Sequence, residues 1–225
     1  MPALFVAGTG TDVGKTYVTA ALLRALAAAG DRVDALKPVA SGFDPADPGP
    51  SDAAALLAAL GRPLTAESLD RICPSRFRAP IAPDQAAALE GVTLSADAIA
   101  TLCRERAAEA GEGLLVVESA GGIMSPLDAD ATMLDLALSL GAPVLLVAGS
   151  YLGAISHTLT AARALAQAGL GVAAIALSET AREPPFASNL AEIGRRLTPT
   201  PVFGLRRGED CPEGLAEAVR AACRA

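Results

Sequence analysis

The stretch Gly8–Thr16, GTGTDVGKT, ends in the Gly-Lys-Thr triplet of a phosphate-binding loop. Glycines let backbone N–H groups turn inward on phosphate oxygens, and a helix beginning near Gly14 adds the positive end of its dipole. Lys15 would reach the terminal phosphates, while the Thr16 hydroxyl would ligate Mg²⁺. The first glycine lies one residue further from the triplet than the usual G-x-x-x-x-G-K-[ST] spacing.

Magnesium takes oxygen ligands and commonly adds one or two carboxylates to phosphate oxygens and water. Glu118 closes the apolar run GLLVVE, where an acid is costly without a partner. Asp52 follows Ser51 at a helix start, so it is either a metal ligand or a first-turn acid beside an N-cap. Lys37 ends an apolar run and precedes Pro38, which directs the chain away from helix. A cation there could neutralise charge on a transferring phosphoryl group. Ser41, within KPVASG, could hydrogen-bond a second substrate. His157, the sole histidine, is read as structural.

Short apolar runs alternating with Ala/Leu-rich segments must position these residues. Strands are expected at Ala3–Ala7, Arg32–Leu36, Gly113–Val117, Pro143–Ala148, Gly171–Leu177 and Pro201–Phe203. Helices are expected at Gly14–Ala29, Ser51–Leu60, Ser95–Ala110, Ala131–Leu140, Ala154–Ala168, Ala187–Leu197 and Pro212–Cys223. This alternation predicts an α/β fold, a single P-loop NTPase-like domain with a mainly parallel, doubly wound sheet flanked by helices. The Pro-rich stretches KPVASGFDPADPGPSD and PSRFRAPIAPDQ read as loops. In such a sheet, ligands bind beyond the carboxyl ends of the strands. There lie the phosphate loop, KPVASG, ESAGG, GSYLGAISH and SETAREPP.

Composition narrows the partners. A net charge of −7 and 3 % aromatic residues disfavour nucleic acid, which needs cations and stacking rings. No apolar run reaches membrane-spanning length, and MPALFVAGTG reads as a first strand rather than a signal peptide. Four cysteines without C-x-x-C spacing argue against a disulfide framework or a structural zinc site. A cytoplasmic protein is expected.

In their order, GTGTDVGKT, KPVASG, SDAAAL, VVESAGGIMSPL and GSYLGAISHTLTA resemble the dethiobiotin synthetases, across about Leu4 to Pro185. The stretched loop is usual in that family. The resemblance implies ATP-dependent ring closure of 7,8-diaminononanoate with CO₂, through a carbamate and a carbamic–phosphoric anhydride. It places Asp12, Val13, Gly14, Lys15, Thr16 and Tyr17 on the phosphates, and Thr16, Asp52 and Glu118 on Mg²⁺. Lys37 would contact the carbamate and transferred phosphoryl group, with Lys15 and Thr11 sharing the chemistry and Thr11 and Ser41 at the diamine. The segment Leu152, Gly153, Ala154, Ile155 and Ser156 would offer N–H groups to the substrate carboxylate across a homodimer interface.

Ser119, Ala120, Gly121, Ser178 and Glu179 would border the nucleotide. Here ESAGG stands for the family's EGAGG, Ser178-Glu179 for Asn-Asp, and GLRRG for G-x-I-P. These departures predict either relaxed nucleotide preference or reading of the base by backbone atoms. The rival reading is a partitioning or positioning ATPase. Such switches carry a second lysine early in the loop, where this chain has Thr9, Gly10 and Thr11. An amide-forming synthetase of the cobyrinic type would need a further glutamine-hydrolysing domain.

Overall fold

Side chains alternate faces along a strand, so an uninterrupted apolar run buries both sides of a sheet. In β1 (Ala3–Gly8), Phe5 and Ala7 enter one core while Leu4 and Val6 enter the other. The same alternation divides β5 (Leu114–Glu118), β6 (Val144–Gly149) and β7 (Val172–Ser178). Each fully buried Leu, Phe or Val contributes roughly 1.5–3 kcal/mol.

The computed structural model describes residues 3–180 and 186–224. With β2 (Val33–Leu36) and β8 (Val202–Leu205), these strands form a parallel sheet of order β2-β5-β1-β6-β7-β8. One face packs on α1 (Lys15–Ala28) and α2 (Asp52–Ala59), with α3 (Ala66–Ile72) and α9 (Glu213–Arg224). The other packs on α4 (Pro83–Leu89), α5 (Ala96–Ala110), α6 (Met133–Leu140), α7 (Ala154–Gln167) and α8 (Phe186–Arg196). The doubly wound parallel sheet is the architecture expected from the alternation of runs.

Two expectations need correction. KPVASG is not wholly a loop, because Val39–Ser41 forms β3 and pairs in parallel with β4 (Ser75–Phe77) as a separate small sheet. PSRFRAPIAPDQ likewise contains β4 and opens α4, whose Pro83 occupies the first turn, where a missing N–H costs nothing. Helix α3 was not expected, although Thr65 and Ser68 form a capping box at its start. Several expected ends shift because the assigned terminal residue is a cap: Gly14, Ser51 and Ser95 are N-caps, and Ala29, Leu60 and Ala168 are C-caps. Thr132 caps α6 with Asp135, so that helix starts after Ala131. The final residues of SETAREPP, 181–185, lie outside the described residues.

Candidate active site

Strand β1 delivers the chain to Gly8, and α1 takes over at Lys15 with Gly14 as its N-cap at φ 89°. A side chain at Gly14 would be strained, and its Cβ would lie 2.3 Å from Ser178 Oγ. Asp12 also adopts a left-handed conformation, which Asp tolerates better than most residues. Val13 anchors the loop by burying its side chain in the core beneath α1. The loop after β5 packs against this turn without side chains between them. A Cβ at Gly8 would lie 2.8 Å from the Gly121 carbonyl, and the Ile123 N–H donates to the Gly8 carbonyl at 2.9 Å.

Between these loops and the end of β2 lies a cavity of about 370 Å³. Thr11, Asp12 and Gly14–Tyr17 line it on one side; Lys37, Ala40, Ser41 and Asp52 line it on another. Ala120, Gly121 and Arg207 complete the wall. Lys37 is 3 % exposed; its Nζ stands 2.6 Å from Asp52 Oδ2 and 2.7 Å from Glu118 Oε1. Thr16 Oγ1 donates to the same Glu118 oxygen at 2.7 Å. Lys15 Nζ donates to the Gly10 carbonyl at 3.0 Å, folding its tip back over the loop.

The electrostatics follow from these contacts. Burial would lower the Lys37 pKa, but the Glu118 and Asp52 carboxylates outweigh it and hold it above the ordinary lysine value. Lys37 therefore acts as a fixed cation. Burial, reinforced by repulsion from Lys37, pushes Lys15 down to about 8 against the pull of Glu118 and Asp52. For Asp52, burial raises the carboxyl but the Lys37 charge and hydrogen bond reverse it and hold it low. Asp52 also belongs to α2, where Ser51 Oγ accepts from the Ala54 N–H, so its capping neighbour and its cavity position coexist.

Glu118 Oε2 is buried and has no hydrogen-bond partner among the described residues. Left alone, such an oxygen is costly. With the Thr16 hydroxyl and the half-exposed Asp52 carboxylate, it supplies hard oxygen donors suited to Mg²⁺. Among the described residues no three His, Cys, Asp or Glu side chains cluster to hold a metal. An ion here would need phosphate oxygens and water, as Mg²⁺ characteristically accepts.

Other expected positions fall elsewhere. Ser119 and Ser178 are fully buried and do not line the cavity. Glu179 does not line the cavity either, its carboxylate taken by the Arg206 guanidinium at 3.3 Å and the Arg207 backbone N–H at 3.1 Å. A second cavity of about 530 Å³ adjoins the first, with Thr11 on the wall of both. The helix α7 face containing His157 and Thr160 lines it. His157 Nδ1 is 2.8 Å from Tyr151 Oη. Leu152–Ser156 lies at the opening of α7, with Gly153 as N-cap and Leu152 90 % exposed. Arg207 was not expected as a site residue; its signal was the Arg-Arg pair just after β8.

Residues 2–205 match the AAA domain family. The chain is 52 % identical to an ATP-dependent dethiobiotin synthetase BioD of Caulobacter sp. (strain K31), covering 99 % of this chain and 96 % of that one. It is 49 % identical to the protein of that description from Phenylobacterium zucineum (strain HLK1), over 92 % and 89 % of the two chains. In three dimensions it resembles the MinC:MinD cell division protein complex of Aquifex aeolicus, with a TM-score of 0.55 and 10 % identity over 99 % and 86 % of the chains. The hydrogenase maturation factor HypB of Archaeoglobus fulgidus superposes at 0.52, with 14 % identity over 98 % and 89 %. The structural likenesses establish a shared fold.

Proposed function

The chain belongs to the AAA domain family and, within it, to the ATP-dependent dethiobiotin synthetases, and from that membership we propose how its cavity closes a ring. The reaction joins 7,8-diaminononanoate and CO₂ at the expense of ATP, yielding dethiobiotin, ADP and phosphate. One amine takes up CO₂ as a carbamate and releases a proton. The γ-phosphoryl group passes to a carbamate oxygen, converting it into a leaving group. The second amine attacks the carbonyl carbon, expels phosphate and releases a proton.

A carbamate is a weak nucleophile and a poor acyl donor, so the protein's task is positioning and charge neutralisation. The backbone of Asp12–Tyr17 cradles the phosphates, and Lys15 moves from the Gly10 carbonyl onto their terminal oxygens. Lys37 supplies a permanent positive charge where carbamate and phosphoryl group meet. Thr11 and Ser41 orient the diamine. Thr16, Asp52 and Glu118 would hold Mg²⁺, which neutralises phosphate charge when bound. The observation that carries this reading is the buried Lys37, fixed by Asp52 and Glu118 on the wall of a phosphate-loop cavity.

Incubation with 7,8-diaminononanoate, bicarbonate and Mg-ATP should give dethiobiotin by mass spectrometry; no product from folded protein would overturn the reading. We place the protein in the cytoplasm as a homodimer, in which exposed Leu152 and the opening of α7 meet the neighbouring subunit's substrate carboxylate. A monomer by sedimentation velocity at micromolar concentration would remove that contact. Among the described residues no helix is long and apolar enough to cross a membrane. A positioning-ATPase switch is the weaker reading, because Thr9, Gly10 and Thr11 leave the phosphate loop without a second lysine.

A further inference from the structure

Arg206 and Arg207 are adjacent but differ in what surrounds them. Arg206 is neutralised, its guanidinium paired with Glu179 and lying over the Phe186 ring. Arg207 forms no ion pair among the described residues and lines the phosphate cavity. Three contacts fix its direction. Its Nε donates to the Glu179 carbonyl at 3.0 Å, its guanidinium lies 4.5 Å from the Tyr17 ring centroid, and its backbone N–H donates to Glu179 Oε2 at 3.1 Å. The supporting loop is itself held: Tyr17 Oη donates to the Arg206 carbonyl and accepts from the Gly208 N–H.

An exposed arginine held this way gives up rotamer freedom for no charge partner of its own. In a phosphate loop, the lysine serves the outer phosphates while backbone N–H groups cradle the inner ones. Arg207 stands beside that backbone, its Nη2 3.8 Å from where a Cβ on Gly14 would be. We propose that Arg207 is an anion clamp for the inner phosphates of the nucleotide, a cation that this chain carries in addition to Lys15 and Lys37. The inference rests on the nucleotide reading of the cavity.

Guanidinium suits phosphate because it offers parallel N–H donors. A clamp on phosphate is indifferent to the base. With the Glu179 carboxylate occupied by Arg206 and the Arg207 backbone, and with Ser178 buried, these two side chains are withdrawn from reading a base edge. Affinity then comes from the phosphate chain, and ATP, GTP and CTP are used with similar KM values.

The test compares wild type with Arg207→Gln and Arg207→Lys. Inorganic tripolyphosphate, which has no base, is the probe, titrated calorimetrically with Mg²⁺. Tripolyphosphate should bind about tenfold more weakly to Arg207→Gln, the loss expected for charge-assisted hydrogen bonds, with partial recovery in Arg207→Lys. KM for ATP, GTP and CTP should rise together by about tenfold in Arg207→Gln, while kcat stays within about threefold. Unchanged tripolyphosphate affinity would overturn the clamp, as would a KM increase confined to one nucleotide. Calorimetry needs no turnover, so it stays readable even if dethiobiotin formation fails.

Discussion

Lys37 Nζ stands 2.7 Å from Glu118 Oε1, and both side chains are almost entirely sealed from solvent. Removing one partner of a buried ion pair costs about 3–5 kcal/mol, because the other is left charged and alone. Lys37→Gln should therefore lose stability of that order in chemical denaturation. Its turnover should fall about 100-fold or more, with KM for ATP changing only a few-fold. The double variant Lys37→Gln/Glu118→Gln should recover most of the stability and none of the turnover. Wild-type turnover in Lys37→Gln would remove the lysine from the mechanism.

Gly14 and Gly30 both sit at φ 89°, but only Gly14 meets a neighbour that a Cβ would strike. Gly30→Ala isolates the backbone cost, about 1 kcal/mol. Gly14→Ala adds the collision with Ser178 and should cost clearly more while abolishing ATP binding. Equal destabilisation of the two variants would show that Ser178 yields freely.

The legible parts were those whose signal is local. GLLVVE and APVLLVAG announce buried parallel strands because both faces must be apolar, and the Glu at the end of one stands out for the same reason. Lys37 and Asp52 were recognisable as candidates, yet their union with Glu118 depends on β2 lying beside β5, a pairing across 81 positions for the Lys37–Glu118 contact. Strands β3 and β4 are three residues each and exist through each other, so neither periodicity nor length could reveal them. Helix α4 was hidden because Pro83, which begins it, belongs to a Pro-rich run. Arg207 shows in sequence as a departure from the family pattern, but its contacts with Tyr17 and Glu179 join residues that chain order does not bring together.

Asp128 ties α5 to the turn before α6 by accepting from the Ala96, Asp130 and Ala131 N–H groups. These hydrogen bonds, that from Ala96 foremost, hold its carboxyl below the ordinary range. The folded state thus binds this proton less readily than the unfolded chain. The stabilisation is present above the unfolded pKa of about 3.9 and fades as pH falls through the lower folded value. Asp128→Ala should cost about 1 kcal/mol at pH 7, the net worth of a partly exposed side-chain hydrogen bond. In denaturant titrations the gap from wild type should close at strongly acidic pH; a pH-independent gap would assign the loss to packing.

Burial pushes the Cys73 and Cys103 thiols up to about 12, and Cys211 and Cys223 to about 11. Alkylation proceeds through the thiolate, so iodoacetamide at pH 8 should label folded protein slowly, with Cys73 and Cys103 last. All four should label promptly after denaturation. Prompt labelling of Cys73 in folded protein would mean that the region around α3 opens readily.

Gly8, Gly10 and Gly122 meet where the loops after β1 and β5 touch, with the Gly8 carbonyl tied to Ile123. Phosphate cradle and buried acid are thereby welded into one floor. Any grip that tightens on substrate must come from outer parts such as residues 42–51, since residues 206–208 are tethered to Tyr17 on the phosphate-loop helix. Hydrogen exchange should find the Ile123 amide slow with or without nucleotide, while protection gained on binding falls on those outer segments. The molecule would then work as a vice whose bed is cast in place and whose jaws alone travel.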